Sequence, residues 1–474
     1  MNKKILSVSA VLLLAFFIFQ SCADDDNVDD ISQYLIPPSG TSKIEATPQR
    51  TGDVSAGYEY LIYGDYIDSG IPYDLYLSTV AAGGNNQNLL NRTGNNANVS
   101  FDYNSTTAFN GVEIVAPNCL QCHAQEFNGE LIVGLGNTIA DYTFDQSGFG
   151  NLLENFVNLS YGTNSPEADA FELFQRGIQA TGPEIITEVI GVNPADKIAA
   201  VLAAHRDKDD LTWKDVPQFE IPDVMVPTDV PAWWLLKKKA SMFYTSVGRG
   251  DFARIMMASS LLVLQDTTKA REVDENFDDV LAFINSIEAP VYPNAIDEAK
   301  VERGEDLFIK NCAKCHGTYG AEETYPDLLV ELDVVKTDPA LAQTNYADPN
   351  FVNIYNESWF GKAPYPARLE PTTGYIAPPL DGVWITAPYL HNGSVPTLED
   401  LLNSSQRPTY FKRNLDTNQY DFEKVGIEYD IANDGAGTDV YDTTIPGYQN
   451  IGHTFGDGFT DEERNDLIEY LKTL

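Results

Sequence analysis

Residues 296–317 read IDEAKVERGEDLFIKNCAKCHG. Val301, Leu307, Phe308 and Ile309 fall on a helical pattern that runs directly into Cys312, Cys315 and His316. C-x-x-C-H is the attachment pattern of a c-type haem. The spacing has a chemical reason: a pair of thiols adds to the vinyl groups on one edge of a porphyrin, and the adjacent imidazole binds the iron from the same face. The pattern recurs in APNCLQCHAQ, with Cys119, Cys122 and His123. The expected cofactors are therefore two covalently bound haem c groups, held by Cys119, Cys122, Cys312 and Cys315, with His123 and His316 as proximal iron ligands. A thioredoxin-like redox pair needs no histidine after its second cysteine. The pairs lie about 190 residues apart (122 to 312), whereas a four-cysteine zinc site uses about 15–20. Disulfides across two-residue gaps are strained and remove little chain entropy.

The chain end, TDEERNDLIEYLKTL (460–474), opens with a capping box in which Thr460 caps the helix and Glu463 reaches back. Leu467, Ile468, Leu471 and Leu474 then form one apolar stripe. A similar segment, NFDDVLAFINSIEAP (276–290), aligns Asp279 with Asp466, Phe283 with Tyr470 and Ile287 with Leu474. Asp279 lies 156 residues after His123 (123 to 279), and Asp466 lies 150 after His316 (316 to 466). Each haem motif thus has its own closing helix. Gly304 and Phe308 match the G-x-x-x-F pattern common in the first helix of small cytochromes c. The expected fold is mainly α, with two cytochrome-c-like haem domains carrying long loop insertions. An N-terminal haem c domain over 48–290 joins a C-terminal cytochrome c domain over 291–474. The Asn-rich stretch 83–100 and the acidic stretch 429–448 read as loops. Within the latter, DIANDG from Asp430 half matches a calcium loop, with Ala432 at a ligand position, so calcium is a minor expectation.

Residues 1–22 have a basic start at Lys3 and Lys4, an apolar run from Ile5 to Phe19, and Cys22 after Ser21. This is the pattern of a secretory signal, and specifically of a lipoprotein signal with Cys22 as the lipid-bearing residue. A plain signal peptide is the alternative, since Phe19 stands where the lipoprotein pattern usually has Leu. Residues 23–47, beginning ADDDNVDD, read as an acidic tether; an export tag is the competing reading. The expected location is the bacterial cell envelope, as an outer-membrane lipoprotein facing the periplasm or the cell surface. Membrane contact would be through the lipid anchor only. Net charge is −40 over 474 residues, and loss of residues 1–22 removes Lys3 and Lys4 and no acid, giving −42. Such a surface repels phosphate backbones, which sets nucleic acid aside, and attracts cationic partners such as a small basic electron-donor protein or cytochrome.

The sixth iron ligand decides between electron transfer and chemistry. Methionines fall at 1, 225, 242, 256 and 257, so the C-terminal domain has none to offer. Its candidates are His391 and His453, with Tyr389 a lesser one. In the first domain His205 is spare, but the charges after it suit a solvated helix end. Met242, Met256 and Met257 suit core filling. The first haem is therefore the better candidate for an open site.

GYIAPPLDGVWITAPYLHNGSVPTLEDLL (374–402), the two C-x-x-C-H motifs and IGHTFGDGFTDEERNDLIEYLKTL (451–474) together resemble the bacterial di-haem cytochrome c peroxidase superfamily. That group includes the enzyme that matures a tryptophylquinone cofactor and the rubber oxygenases. The resemblance is strongest over 295–474 and weak before residue 100. It implies that the haem at Cys119, Cys122 and His123 activates the substrate, and that the haem at Cys312, Cys315 and His316 relays electrons. In the rubber-oxygenase branch a histidine in a G-H-x-F-G run closes the second haem, and His453 in GHTFG is similar to it. The peroxidase branch uses a methionine there, which this chain lacks. For His391 the resemblance implies a haem-pocket residue hydrogen-bonding a propionate or a distal group. The tight turn around Asn392 and Gly393 agrees, with axial ligation and a structural role as alternatives. Trp233, Trp234 and Trp384 are candidates for an aromatic bridge between the haems, or ordinary core.

The expected function is an exported, peroxidase-like di-haem oxidoreductase acting on peroxide or dioxygen. A non-enzymatic electron carrier and a rubber-oxygenase-like dioxygenase are the alternatives.

Overall fold

The computed structural model describes residues 31–83, 90–343 and 349–474. Cys22, the signal and the first part of the acidic segment lie outside the described residues, as do 84–89 of the Asn-rich stretch.

Two helix pairs carry the architecture. Helix Glu298–Asn311 packs on the C-terminal helix Asp461–Leu471, and helix Val54–Tyr63 packs on helix Thr267–Ser286. Both crossings close on a glycine. A Cβ on Gly304 would stand 2.1 Å from the Asp466 carbonyl oxygen, and one on Gly57 would stand 1.9 Å from that of Asp279. Ring contacts flank the crossings: Phe308 meets Tyr470 at 5.2 Å and Tyr58 meets Phe283 at 5.0 Å. The two aspartates both accept hydrogen bonds from the partner helix's side of the crossing, though from different donors. Arg303 donates to both Asp466 oxygens at 2.6 Å, and the Asp53 backbone N–H donates to Asp279 Oδ1 at 2.6 Å. Asp279 and Asp466, and Phe283 and Tyr470, therefore occupy matching places. The capping box is present: Thr460 Oγ1 accepts from the Glu463 N–H at 3.2 Å, while Glu463 Oε2 accepts from the Thr460 N–H at 2.8 Å.

The expectation of a mainly α fold is corrected: the chain is mixed α and β, 39% helix and 14% strand. Among the described residues the strands form six small sheets. Tyr410–Arg413 lies between Tyr429–Ile431 and Val440–Asp442, all antiparallel, so the acidic stretch 429–448 contributes strands instead of a loop. Strand Leu328–Glu331 lies between Gly374–Ile376 and Thr41–Lys43, which places part of the expected tether in a sheet. Ile71–Pro72 and Tyr103–Thr107 flank Glu113–Pro117 just before the first cysteine pair. The hairpin Ala124–Phe127 with Glu130–Val133 follows His123 directly. The pairings with Thr41–Lys43, Gly374–Ile376 and Ile71–Pro72 join distant, very short segments that no local alternation announces, whereas the hairpin Ala124–Phe127 with Glu130–Val133 turns on Asn128-Gly129, a local signal that the sequence reading passed over.

Apolar burial forms two main clusters. One gathers Leu61, Trp233, Phe277 and Leu281, and also takes in Leu341, Phe351, Trp359, Phe360 and Tyr375 from beyond residue 291. The other joins Phe308, Trp384, Leu467 and Leu471 to Phe127, Leu135 and Trp234. Each half of the chain thus supplies side chains to the other's core.

Candidate haem-binding sites

Helix Glu298–Asn311 ends where Cys312 begins the short helix Ala313–His316. All four motif cysteines are free thiols, so neither pair is a disulfide. Burial pushes the thiols up, Cys312 to about 12 and Cys119 to about 11. The His316 ring is fixed by the Pro378 carbonyl, 2.8 Å from Nδ1. That leaves Nε2 as the nitrogen free to face a metal. Burial lowers the His316 pKa, which keeps the imidazole neutral.

His453 stands opposite. Its ring centre is 6.3 Å from that of His316, with the planes at 64°. An imidazole holds a metal about 2.0–2.1 Å from its nitrogen, which puts the ion about 3.2 Å from the ring centre, so two rings on opposite sides of one ion stand about 6.4 Å apart. Burial, then the neighbouring His316 and Arg407, lower His453 to about 3, so it too is neutral. The backbone here is left-handed, with φ of +74° at Gly452 and +43° at His453.

At the first motif His123 ends the short helix Leu120–His123. Its ring stacks on Trp233 with centres 4.8 Å apart and planes at 21°. Burial lowers His123 to about 4, opposed by the facing Pro231 carbonyl. Cys122 Sγ accepts from Asn193 Nδ2 at 3.3 Å. The Tyr142 hydroxyl also lies against Cys122, and those of Tyr66 and Ser259 against Cys119.

His205 is not a solvated helix end: it is 9% exposed, stacked on Trp213 at 4.9 Å, with Nδ1 2.8 Å from the Lys214 carbonyl. Those contacts make it structural. Met257 is buried, and Met242 and Met256 pack against the same core. His391 is buried and stacks on Tyr375 at 4.1 Å. Its carbonyl accepts from the Asp229 N–H at 2.7 Å, which ties the HNGS loop to the segment bearing Pro231 and Trp233. Burial lowers His391 to about 3. Trp234 and Trp384 are core residues that donate to the Asp381 and Pro290 carbonyls, each at 2.8 Å.

The donor set fits covalent haem. Paired thiols precede each proximal imidazole, and the His316–His453 gap suits one iron. Among the described residues His391 Nε2, Asn193 Oδ1 and Arg413 Nη2 are buried polar atoms without a hydrogen-bond partner, and Asn193 lies against Cys122. Among the described residues no group of three or more His, Cys, Asp or Glu side chains is placed to hold an ion, so the calcium expectation at 430–435 gains no support. Sequence reasoning missed Asn193, Tyr142 and the Pro231 and Pro378 carbonyls. Each acts across the fold, through backbone or a neutral polar group, and leaves no local signature.

A motif-bearing chain of this kind is a c-type cytochrome oxidoreductase. Residues 374–412, which include His391, match the family described as RoxA-like, cytochrome c-like. The uncharacterized protein y4iM of Sinorhizobium fredii is 30% identical over 66% of this chain and 80% of its own length. A second protein of that organism, y4iJ, is 30% identical over 38% of this chain and 39% of its own. The chain belongs to the family of y4iM and carries a RoxA-like cytochrome c segment.

Proposed function

We propose that the protein is an exported, lipid-anchored di-haem cytochrome acting as a peroxidase-like oxidoreductase. Its first haem would meet peroxide or dioxygen, and its second would relay electrons. Haem supplies, when bound, an iron that exchanges electrons and, at an open position, takes a small oxidant. The remaining work belongs to the chain. Cys119 and Cys122 tether one group beside His123, whose ring is oriented by Trp233. Cys312 and Cys315 tether the other beside His316, oriented by Pro378. His453 would supply the second iron's other ligand, and the His316–His453 spacing of 6.3 Å is the observation that carries this reading. His205 is committed to Lys214 and Trp213, which favours the first site as the open one. His391, whose buried Nε2 has no hydrogen-bond partner among the described residues, would serve as a pocket residue. Trp233, Trp234 and Trp384 lie in the cores that join the two halves and are the proposed aromatic route between the sites.

Electron paramagnetic resonance of the purified protein tests this. His453→Ala should convert one low-spin signal to high-spin, while His391→Ala should spare that signal and lower turnover. Two low-spin haems unchanged by peroxide, even after one-electron reduction, would instead establish an electron carrier. A rubber-oxygenase-like dioxygenase acting on a hydrophobic alkene is the second reading, favoured by the RoxA-like match at 374–412. Dioxygen bound to the first haem as purified would select it.

A further inference from the structure

Arg407 spends its whole donor set on backbone. Nε donates to the Asp400 carbonyl at 3.1 Å. Nη1 donates to the Asn450 and Gly452 carbonyls, both at 2.7 Å, and Nη2 to those of Leu401 at 2.9 Å and His453 at 3.0 Å. A guanidinium has five N–H groups, and here each has its own carbonyl. Three of those carbonyls belong to the run 450–453 that presents the His453 imidazole. Among the described residues no carboxylate pairs with Arg407: Asp400 is taken by Thr397 and Tyr429, and Asp457 by Ser404. An arginine held only for charge would have gone to one of these acids.

The run needs holding. Gly452 and His453 both have left-handed backbone, and for histidine that conformation persists only where its surroundings over-determine it. One side is supplied by residues 335–337. The His453 N–H donates to the Val335 carbonyl at 2.8 Å, and any Cβ at Gly452 would stand 2.2 Å from backbone atoms of Lys336 and Thr337. Arg407 supplies the other side. We propose that Arg407 is a positioning residue: its guanidinium fan fixes the 450–453 turn so that the His453 ring faces His316 at the spacing one iron requires. This rests on the reading of His453 as the second iron's distal ligand. Lysine keeps the charge but has a single nitrogen and cannot span carbonyls on both flanks of the fan.

The test uses the full, haem-loaded chain with Arg407→Lys, Arg407→Gln and His453→Ala. Cyanide competes with His453 for the iron, and its binding is followed at the second haem's low-spin signal. Loss of an outer-shell partner weakens a metal ligand by about 10–100-fold. Arg407→Lys should therefore bind cyanide about tenfold or more tightly than the parent, with a weaker or split low-spin signal. The first haem's spectrum recorded before cyanide is added, the same in variant and parent, is the folding control. Wild-type cyanide affinity and an unchanged signal in Arg407→Lys would overturn the proposal. Loss of haem from both motifs in Arg407→Lys would overturn it too, in favour of a general folding role. A low-spin signal that survives His453→Ala would mark a different failure, that of the ligand reading itself.

Discussion

His205 is buried at the end of a helix and His453 is half-buried in an irregular run, and they differ in what their rings do. His205 is covered by Trp213 and bonded to a carbonyl, whereas the His453 ring lies 6.3 Å from that of His316. The two C-x-x-C-H histidines stand out because haem attachment fixes residue types at short spacing, whereas His453, far along the chain, stands out only through its likeness to a G-H-x-F-G run. The burial of His205 was not legible, because Trp213 reaches it by a fold that the charges of Arg206, Asp207 and Lys208 conceal. Residue-scale electrostatics also gives a pH prediction away from the haem motifs. Asp68 is 5% exposed, and burial raises its carboxyl to about 6, against about 3.9 in the unfolded chain. The native state therefore binds the extra proton between those values, and stability falls as pH rises through that window. Above it the buried carboxylate carries its full penalty; below it there is none. Asp68→Asn should match the parent near pH 4 and exceed it by about 1–3 kcal/mol near pH 8. Urea denaturation at both pH values checks this, and an equal difference at each would refute it.

At the level of elements, the closing helix was readable because its Asp, aromatic and aliphatic positions repeat at a similar distance, 156 and 150 residues, from the two motifs. Its partner Val54–Tyr63 was not. In the second half the first helix runs into Cys312, whereas in the first half a sheet and the Asn-rich segment separate helix Val54–Tyr63 from Cys119. The sheets escaped for a different reason. A three-residue strand such as Thr41–Lys43 pairs with Leu328–Val330, and neither carries a pattern of its own. The glycine crossings make an element-scale prediction in which two effects oppose. Alanine stabilises a helix interior by about 1 kcal/mol relative to glycine. At Gly57 and Gly304, however, the new Cβ meets backbone oxygen at 1.9 and 2.1 Å, where no side chain can yield. Overpacking of that kind costs about 1–3 kcal/mol or more, so the steric term wins. Gly304→Ala and Gly57→Ala should each lose about 2 kcal/mol in denaturant titration. The first should perturb chiefly the second haem's spectrum and the second chiefly the first's. A gain in stability for either would mean that the helices separate freely.

At the scale of the whole molecule, the halves read as 48–290 and 291–474 share their cores. Leu341, Phe351, Trp359, Phe360 and Tyr375 pack with Phe277 and Leu281, and Thr41–Lys43 completes a sheet of the second half. A fragment 291–474 would expose those aromatic side chains and lose an edge strand. It should aggregate or bind a hydrophobic dye, and the intact chain should unfold in one transition. A soluble, haem-loaded fragment with a cooperative melt would show that the shared core is dispensable. Charge acts over the same scale. A formal −40 over 474 residues sets up a field that attracts cationic proteins and is screened beyond about 8–10 Å at physiological salt. If electrons arrive from a small basic donor, association is steered by that field, and the second-order rate of reduction should fall steeply as salt is raised. An acidic donor of equal potential should be slower at low salt and speed up as its repulsion is screened. Stopped-flow reduction with both donors across a salt series separates the cases. Equal and salt-independent rates would mean that the docking patch is electrically neutral and that the acidic surface serves solubility alone.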